Sequence, residues 1–267
     1  MSGAANSRLF RAIVPPYILD AIAKRGDEVE RARALETLLQ TERLRGRRDA
    51  MTGVCPAIPA GEEQRTVYDE GGSSVLPGRL VRGEGGRASK DAAVNEAFDG
   101  AGATWEFYEK VYCRNSIDGK GMRLDSSVHY GRDFDNAFWN GAQMVYGDGD
   151  GRIFNRFTVA LDVIGHELTH GVTGTEANFD YEGQPGALNE SFSDVFGSLV
   201  KQWWRKERAE QADWLIGAGL FTPKVKGAGI RSMLHPGTAY DDPVLGRDPQ
   251  PSTMTDVYEG YDDNGGV

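Results

Sequence analysis

Cysteine is nearly absent from this chain: 267 residues contain only Cys55 and Cys113. One pair cannot build a disulfide framework, and two free thiols are the expected state. Histidine is almost as sparse, with four residues, so any two that fall into register carry weight. No uninterrupted apolar run approaches the roughly 18 residues of a bilayer-spanning helix, which excludes such a span. Basic excess is lacking too: 30 Lys+Arg stand against 40 Asp+Glu, a net charge of −10. That balance argues against nucleic acid as a partner, because phosphate binding needs a basic face. The opening stretch Met1–Pro15 has neither an apolar core nor a small-residue cleavage site, so no standard secretory signal is expected. There is no internal repeat and no low-complexity tract.

What is present describes a packed globular chain, with 39% hydrophobic and 26% charged residues. The length suits one large domain or two modest ones. Charge is uneven: residues 1–50 carry a net +3 and the remainder −13. A basic head can dock on an acidic body by electrostatic attraction. Within that head, Pro15-Pro16 predicts an extended lead-in and Tyr17–Lys24 a short helix stopped by Gly26. A second helix is expected from Asp27 to Leu44, with Val29, Ala32, Leu35, Leu38 and Leu39 on its apolar stripe. The Gly- and Pro-punctuated stretch from Gly46 to Gly61 reads as a linker.

Beyond the linker, Arg65–Arg82 reads as a β-hairpin and 88–112 as a helix. Met122–Tyr130 and Ala137–Tyr146 read as strands, followed by the tight turn Gly147-Asp148-Gly149-Asp150-Gly151. Helical patterns return at about 154–171, 187–206 and 209–218. Strands first and helices later favour an α+β fold.

The segment Gly165-His166-Glu167-Leu168-Thr169-His170 carries the chemistry. On a helix, His166 and His170 are one turn apart and share a face, so their imidazoles can converge on one cation. Glu167 lies about 100° round the helix, within reach of a metal-bound water without being a ligand. Given the composition, roughly 0.004 chance occurrences of this spacing are expected. A catalytic zinc needs a third protein ligand. The pattern with a third histidine six residues on is excluded, because that position is Glu176 and Thr173 replaces its glycine. Glu190 is the better candidate. It lies four residues before Asp194 on a helix whose other stripe is Leu188, Phe192, Val195 and Leu199, and Asp194 suits the carboxylate that orients a ligand imidazole.

The runs Asn136-Ala137-Phe138-Trp139-Asn140-Gly141, Met144 to Gly151, His166 to His170, Asn189-Glu190 with Asp194, and Asn264-Gly265-Gly266-Val267 resemble the thermolysin family of zinc metallopeptidases. The likeness covers roughly residues 65–267, and the head resembles the short propeptide of the protealysin branch. The resemblance implies a zincin-type α+β domain holding the active-site helix, preceded by a short helical propeptide. It divides the chain into a propeptide and linker, 1–60, and an N-terminal catalytic domain with the start of the C-terminal domain, 61–267. It implies His166, His170 and Glu190 as zinc ligands and Glu167 as the general base acting on a zinc-polarised water. It also implies Asp194 holding His166, Asn189 supporting His170, Tyr181 stabilising the oxyanion and Asp263 orienting a transition-state histidine. Asn136 and Ala137 would pair with the substrate backbone, Arg231 would grip its carbonyl, and Phe157, Val163 and Ile230 would line the apolar pocket. Pro15, Pro16 and Tyr17 would form the inhibitory motif of the propeptide.

Two departures from the family pattern stand out. Where calcium-dependent members carry acids, this chain keeps Asp162 and Asp213 but has Lys201, Leu215 and Ala218, so the double calcium site is expected to be absent. The chain also ends at Val267, where the family continues with a histidine. On that ground the C-terminal helical domain is expected to be missing, possibly supplied as a separate chain, and the isolated chain to be inactive. The function implied is that of a zinc endopeptidase precursor cutting on the amino side of large apolar residues, with a peptide or protein substrate and its own propeptide as partners. The alternative is a catalytically silent zinc-binding module that associates with other chains. The family implies secretion, and the lack of a standard signal leaves a cytoplasmic location as the alternative.

Overall fold

A computed structural model describes residues 12–45, 61–179 and 183–256. Two helices come first, α1 (Pro16–Arg25) and α2 (Glu28–Arg45). Pro16 opens α1 because its fixed φ suits the first helical position and its missing N–H is not needed there. Gly26 closes the helix, its N–H donating to the Ile22 carbonyl at 2.8 Å.

The sheet uses β1 (Arg65–Asp69), β2 (Arg79–Gly83), β3 (Leu124–Val128), β4 (Ala137–Trp139) and β5 (Met144–Tyr146), in the order β2-β1-β3-β5-β4. The β1–β2 and β4–β5 pairs are antiparallel, whereas β1–β3 and β3–β5 are parallel. The parallel β1–β3 pair needs a crossover, and α3 (Ala92–Tyr112) supplies it. Asp91 caps α3 by accepting from the Ala93 N–H, and Cys113, free and exposed, ends it in the left-handed conformation. The active-site segment lies on α4 (Leu161–Glu176), which leads into α5 (Gly183–Arg205). Short strand pairs follow, β6 (Leu215–Ile216) with β7 (Arg231–Ser232) and β8 (Asp241–Asp242) with β9 (Gly246–Arg247).

The main apolar core lies between the sheet and the helices. Val67, Val128, Met144 and Tyr146 meet Ala97, Ala101 and Trp105 of α3 and Val163, Ile164 and Leu168 of α4. Ile13, Val14, Ile18, Leu19 and Ile22 of the head belong to the same cluster. A smaller group on the other face of the sheet joins Tyr130, Phe134, Phe138 and Val145.

Three expectations need correction. Ala137–Tyr146 is two strands rather than one, because Gly141 at φ +98° turns the chain back on itself. Residues 209–218 form no helix. Trp214, Gly217 and Gly219 all take positive φ, and Leu215–Ile216 pairs with β7 instead. On α2 the stripe is reversed: Val29, Leu35 and Leu39 are exposed, while Ala34, Thr37 and Thr41 are buried. The contact is polar and small-residue, with the Asp135 N–H donating to Thr37 Oγ1 at 3.3 Å. The inward face of α5 is, as expected, the one that carries Glu190 and Asp194: Asn189, Ser193, Ser198 and Lys201 are buried with them and Val200 adds an apolar contact, while Leu188 and Phe192 are exposed.

Two polar hubs fix the frame. The buried Lys201 ammonium donates to Asp162 Oδ2 at 3.0 Å, Asp213 Oδ1 at 2.7 Å and the Leu215 carbonyl at 2.7 Å, tying α4 to α5 and β6. His129 sits at φ +57° after β3, with Nδ1 2.9 Å from both Asp148 oxygens and Nε2 2.8 Å from Asp91. The hydrogen bond to Asp148, with Asp91 adding to it against the cost of burial, pushes the imidazole up to about 9 from 6.5. A group whose folded pKa is raised stabilises the fold fully below its unfolded pKa and stops doing so as pH climbs through the folded one. The native chain should therefore lose roughly 1–2 kcal/mol of unfolding free energy between about pH 6.5 and 9.5, allowing for solvent screening of a part-exposed group. His129→Gln should flatten that slope in denaturant titrations across the pH range, and an unchanged slope would contradict the assignment.

Candidate metal centre and cleft

α4 and α5 approach closely because each carries a glycine at their crossing. A Cβ on Gly197 would sit 2.4 Å from the Asp162 carbonyl oxygen and 2.9 Å from the His166 nitrogen, so no larger residue fits without backbone movement. Gly165 faces it, and a Cβ added there would lie 3.1 Å from the Gly197 Cα. This approach brings the polar face of α5 against the two histidines of α4.

His166, His170 and Glu190 are all buried, and their donor atoms lie within 4.8 Å of one another. The His166 Nδ1–H donates to Asp194 Oδ1 at 2.8 Å and the His170 Nδ1–H to Asn189 Oδ1 at 2.9 Å. Those acceptors hold the proton on Nδ1, so both Nε2 lone pairs face the space between the rings. The Nε2 atoms are 3.1 Å apart, and each lies near Glu190, at 3.3 Å from His166 and 3.4 Å from His170.

The donors fit zinc. Three acceptors crowded in a buried space repel one another unless a cation lies among them. Their spacings match the edge, about 3.3–3.5 Å, of a tetrahedron with zinc–ligand bonds near 2.0–2.1 Å. The field is right as well: burial alone would lower the His166 imidazole, but Asp194 and Glu190 outweigh it and raise it to about 9. Glu167 stands beside the cluster. Its Oε2 accepts the Trp139 N–H at 3.0 Å, while its buried Oε1 has no hydrogen-bond partner. Burial pushes this carboxyl up to about 8.

Three features of this centre were not evident from the sequence. Asp194 holds Arg231 as well as His166, with Arg231 Nε donating to Oδ2 at 2.6 Å and Nη2 to Oδ1 at 2.7 Å. Burial would raise the Asp194 carboxyl, but the two cations hold it below its ordinary value. The Ser193 hydroxyl lies 3.0 Å from His170 Nδ1, and the Thr173 hydroxyl donates to Asn189 Oδ1 at 3.1 Å. The Trp139 N–H anchors the carboxylate of Glu167. Serine and threonine on a helix are too common to stand out, and a backbone N–H leaves no trace in a sequence.

The other cleft residues come together around the head of the chain. Asn136 and Ala137 lie on and beside the outer strand β4, where they bond Val14 and Ile13, and Arg231 Nη1 donates to the Ile13 carbonyl. Phe157, Val163 and Ile230 are fully buried in the same cluster as Ile13 and Val14. Pro15 is buried, Pro16 begins α1, and Tyr17 packs against the core. Tyr181, Asp263, Cys55 and the run Asn264–Val267 lie outside the described residues.

The family description "Thermolysin metallopeptidase, catalytic domain" matches residues 61–174, "Thermolysin metallopeptidase, alpha-helical domain" matches 177–267, and "Protealysin propeptide" matches 11–50. The chain is 51% identical over 262 residues to "Extracellular metalloprotease" of Pectobacterium carotovorum subsp. carotovorum, covering 98% of this chain and 76% of that one. The chain belongs to the thermolysin family of metallopeptidases. Its likeness to "Protease PrtS" of Photorhabdus sp. (strain Az29) is 46% over 265 residues, 97% of this chain and 71% of that relative. Among solved structures it matches "Precursor of Protealysin, Metalloproteinase from Serratia proteamaculans", with a TM-score of 0.87 and 51% identity over 96% of this chain and 75% of that one. Peptidases of this family depend on zinc, and the His/His/Glu cluster is the centre this chain offers for it.

The expectation that the helical domain is missing is overturned, because its description matches from residue 177 onward. The two descriptions meet between α4 and α5, so Glu190 and Asp194 come from the helical side. The domain cannot be wholly absent when the metal cluster is built across that junction. Glu190→Gln should lower zinc affinity by about 10–100-fold or more while the fold persists, since it replaces the charged donor with a neutral amide. Zinc retention during dialysis against a chelator series checks this, and unchanged retention would remove Glu190 from the donor set.

Proposed function

We propose that this chain is the precursor of a secreted zinc endopeptidase that cuts on the amino side of large apolar residues, and that residues 1–60 silence it in cis. The carrying observation is the buried His166–His170–Glu190 cluster, with both Nε2 lone pairs turned inward and the unpartnered Oε1 of Glu167 beside it. Secretion follows the relative whose name is "Extracellular metalloprotease". The catalytic part would begin after residue 60.

Zinc held by His166, His170 and Glu190 supplies Lewis acidity, which polarises a peptide carbonyl and acidifies water. Glu167 Oε1 takes the proton from the attacking water and returns it to the leaving nitrogen, while Oε2 stays fixed on the Trp139 N–H. Asp194 keeps His166 in the ligating tautomer and aims Arg231 at the substrate carbonyl, and Asn189 does the same for His170. Asn136 and Ala137 pair with the substrate backbone, and Phe157, Val163 and Ile230 receive the apolar side chain. Following the family resemblance, Tyr181 stabilises the oxyanion and Asp263 orients a histidine.

The experiment is a peptide library with zinc content measured in parallel. Glu167→Gln should keep zinc and lose at least ~10³-fold in hydrolysis, with native cleavage before Leu, Ile, Phe or Val. Loss of zinc in that variant, or cleavage chiefly beside acidic residues, would contradict the roles. Removing residues 1–60 should raise hydrolysis, because it clears Ile13 and Val14 from β4; unchanged turnover would oppose the silencing.

Lys201 supports the further proposal that the double calcium site is replaced by an internal ammonium. A calcium-selective chelator should then shift Tm by less than ~2 °C, and Lys201→Met should cost about 3–5 kcal/mol by leaving Asp162 buried and unpaired. A large chelator effect with a tolerated Lys201→Met would reverse this view.

A further inference from the structure

The head of the chain lies against β4 with a definite polarity. The Ile13 N–H donates to the Ala137 carbonyl at 3.1 Å, and the Val14 N–H to Asn136 Oδ1 at 2.9 Å. Asn136 Nδ2 donates back to the Val14 carbonyl at 3.2 Å, and Arg231 Nη1 to the Ile13 carbonyl at 3.3 Å. As residue numbers rise from 13 to 14 in the head, they fall from 137 to 136 beside it, so the two segments run antiparallel. Ala12 is thereby carried toward Phe138 and Trp139, and it packs against the cluster that contains Phe138. Trp139 is the residue whose N–H holds Glu167. Ile13 is fully buried together with Phe157, Val163 and Ile230.

Resting on the function proposed above, we infer that the Ala12–Ile13 peptide bond occupies the scissile position and that the enzyme cuts its own chain there. Every partner assigned to a substrate backbone is held by Ile13 and Val14, and in one direction only. The register cannot slide. Pro15 has no N–H to offer a neighbouring position, Pro16 opens α1, and Ile18, Leu19 and Ile22 anchor that helix in the core. In the step, one water adds across the bond. Its oxygen joins the Ala12 carbonyl carbon, the carbon–nitrogen bond breaks, and the proton taken by Glu167 passes to the Ile13 nitrogen. The products are a carboxyl group on Ala12 and an amine on Ile13, with no other reactant. The new terminus stays in the cleft because α1 tethers it there at high effective concentration. This cut is separate from removal of residues 1–60.

The test uses the full chain, wild type and Glu167→Gln, loaded with zinc and read by intact mass and amino-terminal sequencing. Hydrolysis of an unrelated apolar peptide is followed alongside on the same folded chain after residues 1–60 have been removed by limited proteolysis. The wild type should lose residues 1–12 and begin at Ile13, at a rate independent of protein concentration, whereas Glu167→Gln should keep them. A wild type that keeps residues 1–12, although its processed form hydrolyses the unrelated peptide, overturns this inference alone. A processed chain that hydrolyses nothing overturns the proposed function and this inference with it. A second measurement needs no catalysis. In Glu167→Gln the Val14 amide should exchange at least ~10-fold more slowly than in the Glu167→Gln, Asn136→Ala double variant. Equal exchange overturns the register.

Discussion

The buried carboxylate of Asp194 is the point on which the centre depends. It accepts from His166 Nδ1 on one side and from two nitrogens of Arg231 on the other. Carboxylate oxygens have lone pairs enough for both, and burial makes each bond strong because water cannot compete. One residue therefore fixes the tautomer of His166 and the aim of the arginine that meets the Ile13 carbonyl. Removing Asp194 would leave Arg231 as a buried, unpaired cation, so the site would suffer as a unit rather than residue by residue.

Asp194 can reach both partners only because α5 turns a polar face inward. Asn189, Glu190, Ser193, Asp194 and Lys201 are each matched by a group on α4 or nearby. Gly165 and Gly197 allow the helix approach that makes these contacts short. The Lys201 ammonium closes one end of the interface and the histidines the other, so the His166–His170–Glu190 cluster sits in a frame braced at both ends.

Much of this centre was legible in the sequence. The spacing of His166 and His170 dictates a shared helical face, and Glu167 follows from its angle to them. Glu190 and Asp194 were legible as an i, i+4 pair on one face. The link from Asp194 to Arg231 spans 37 residues and no local pattern encodes it. The face of α2 misled because apolar periodicity assumes that the apolar side is buried, whereas that helix turns Ala34, Thr37 and Thr41 inward. Residues 209–218 carry helical periodicity, but Lys201 captures the Leu215 carbonyl and the chain turns to pair with β7 instead.

The central claim is that two imidazoles and one carboxylate, and no thiolate, hold a single zinc. Zinc-edge X-ray absorption on the full chain carrying one equivalent of metal tests it most directly. The account predicts two nitrogen donors with imidazole scattering and oxygen in the remaining positions, all at about 2.0–2.2 Å. A sulfur shell near 2.3 Å, or a coordination sphere with fewer than two imidazoles, would contradict it.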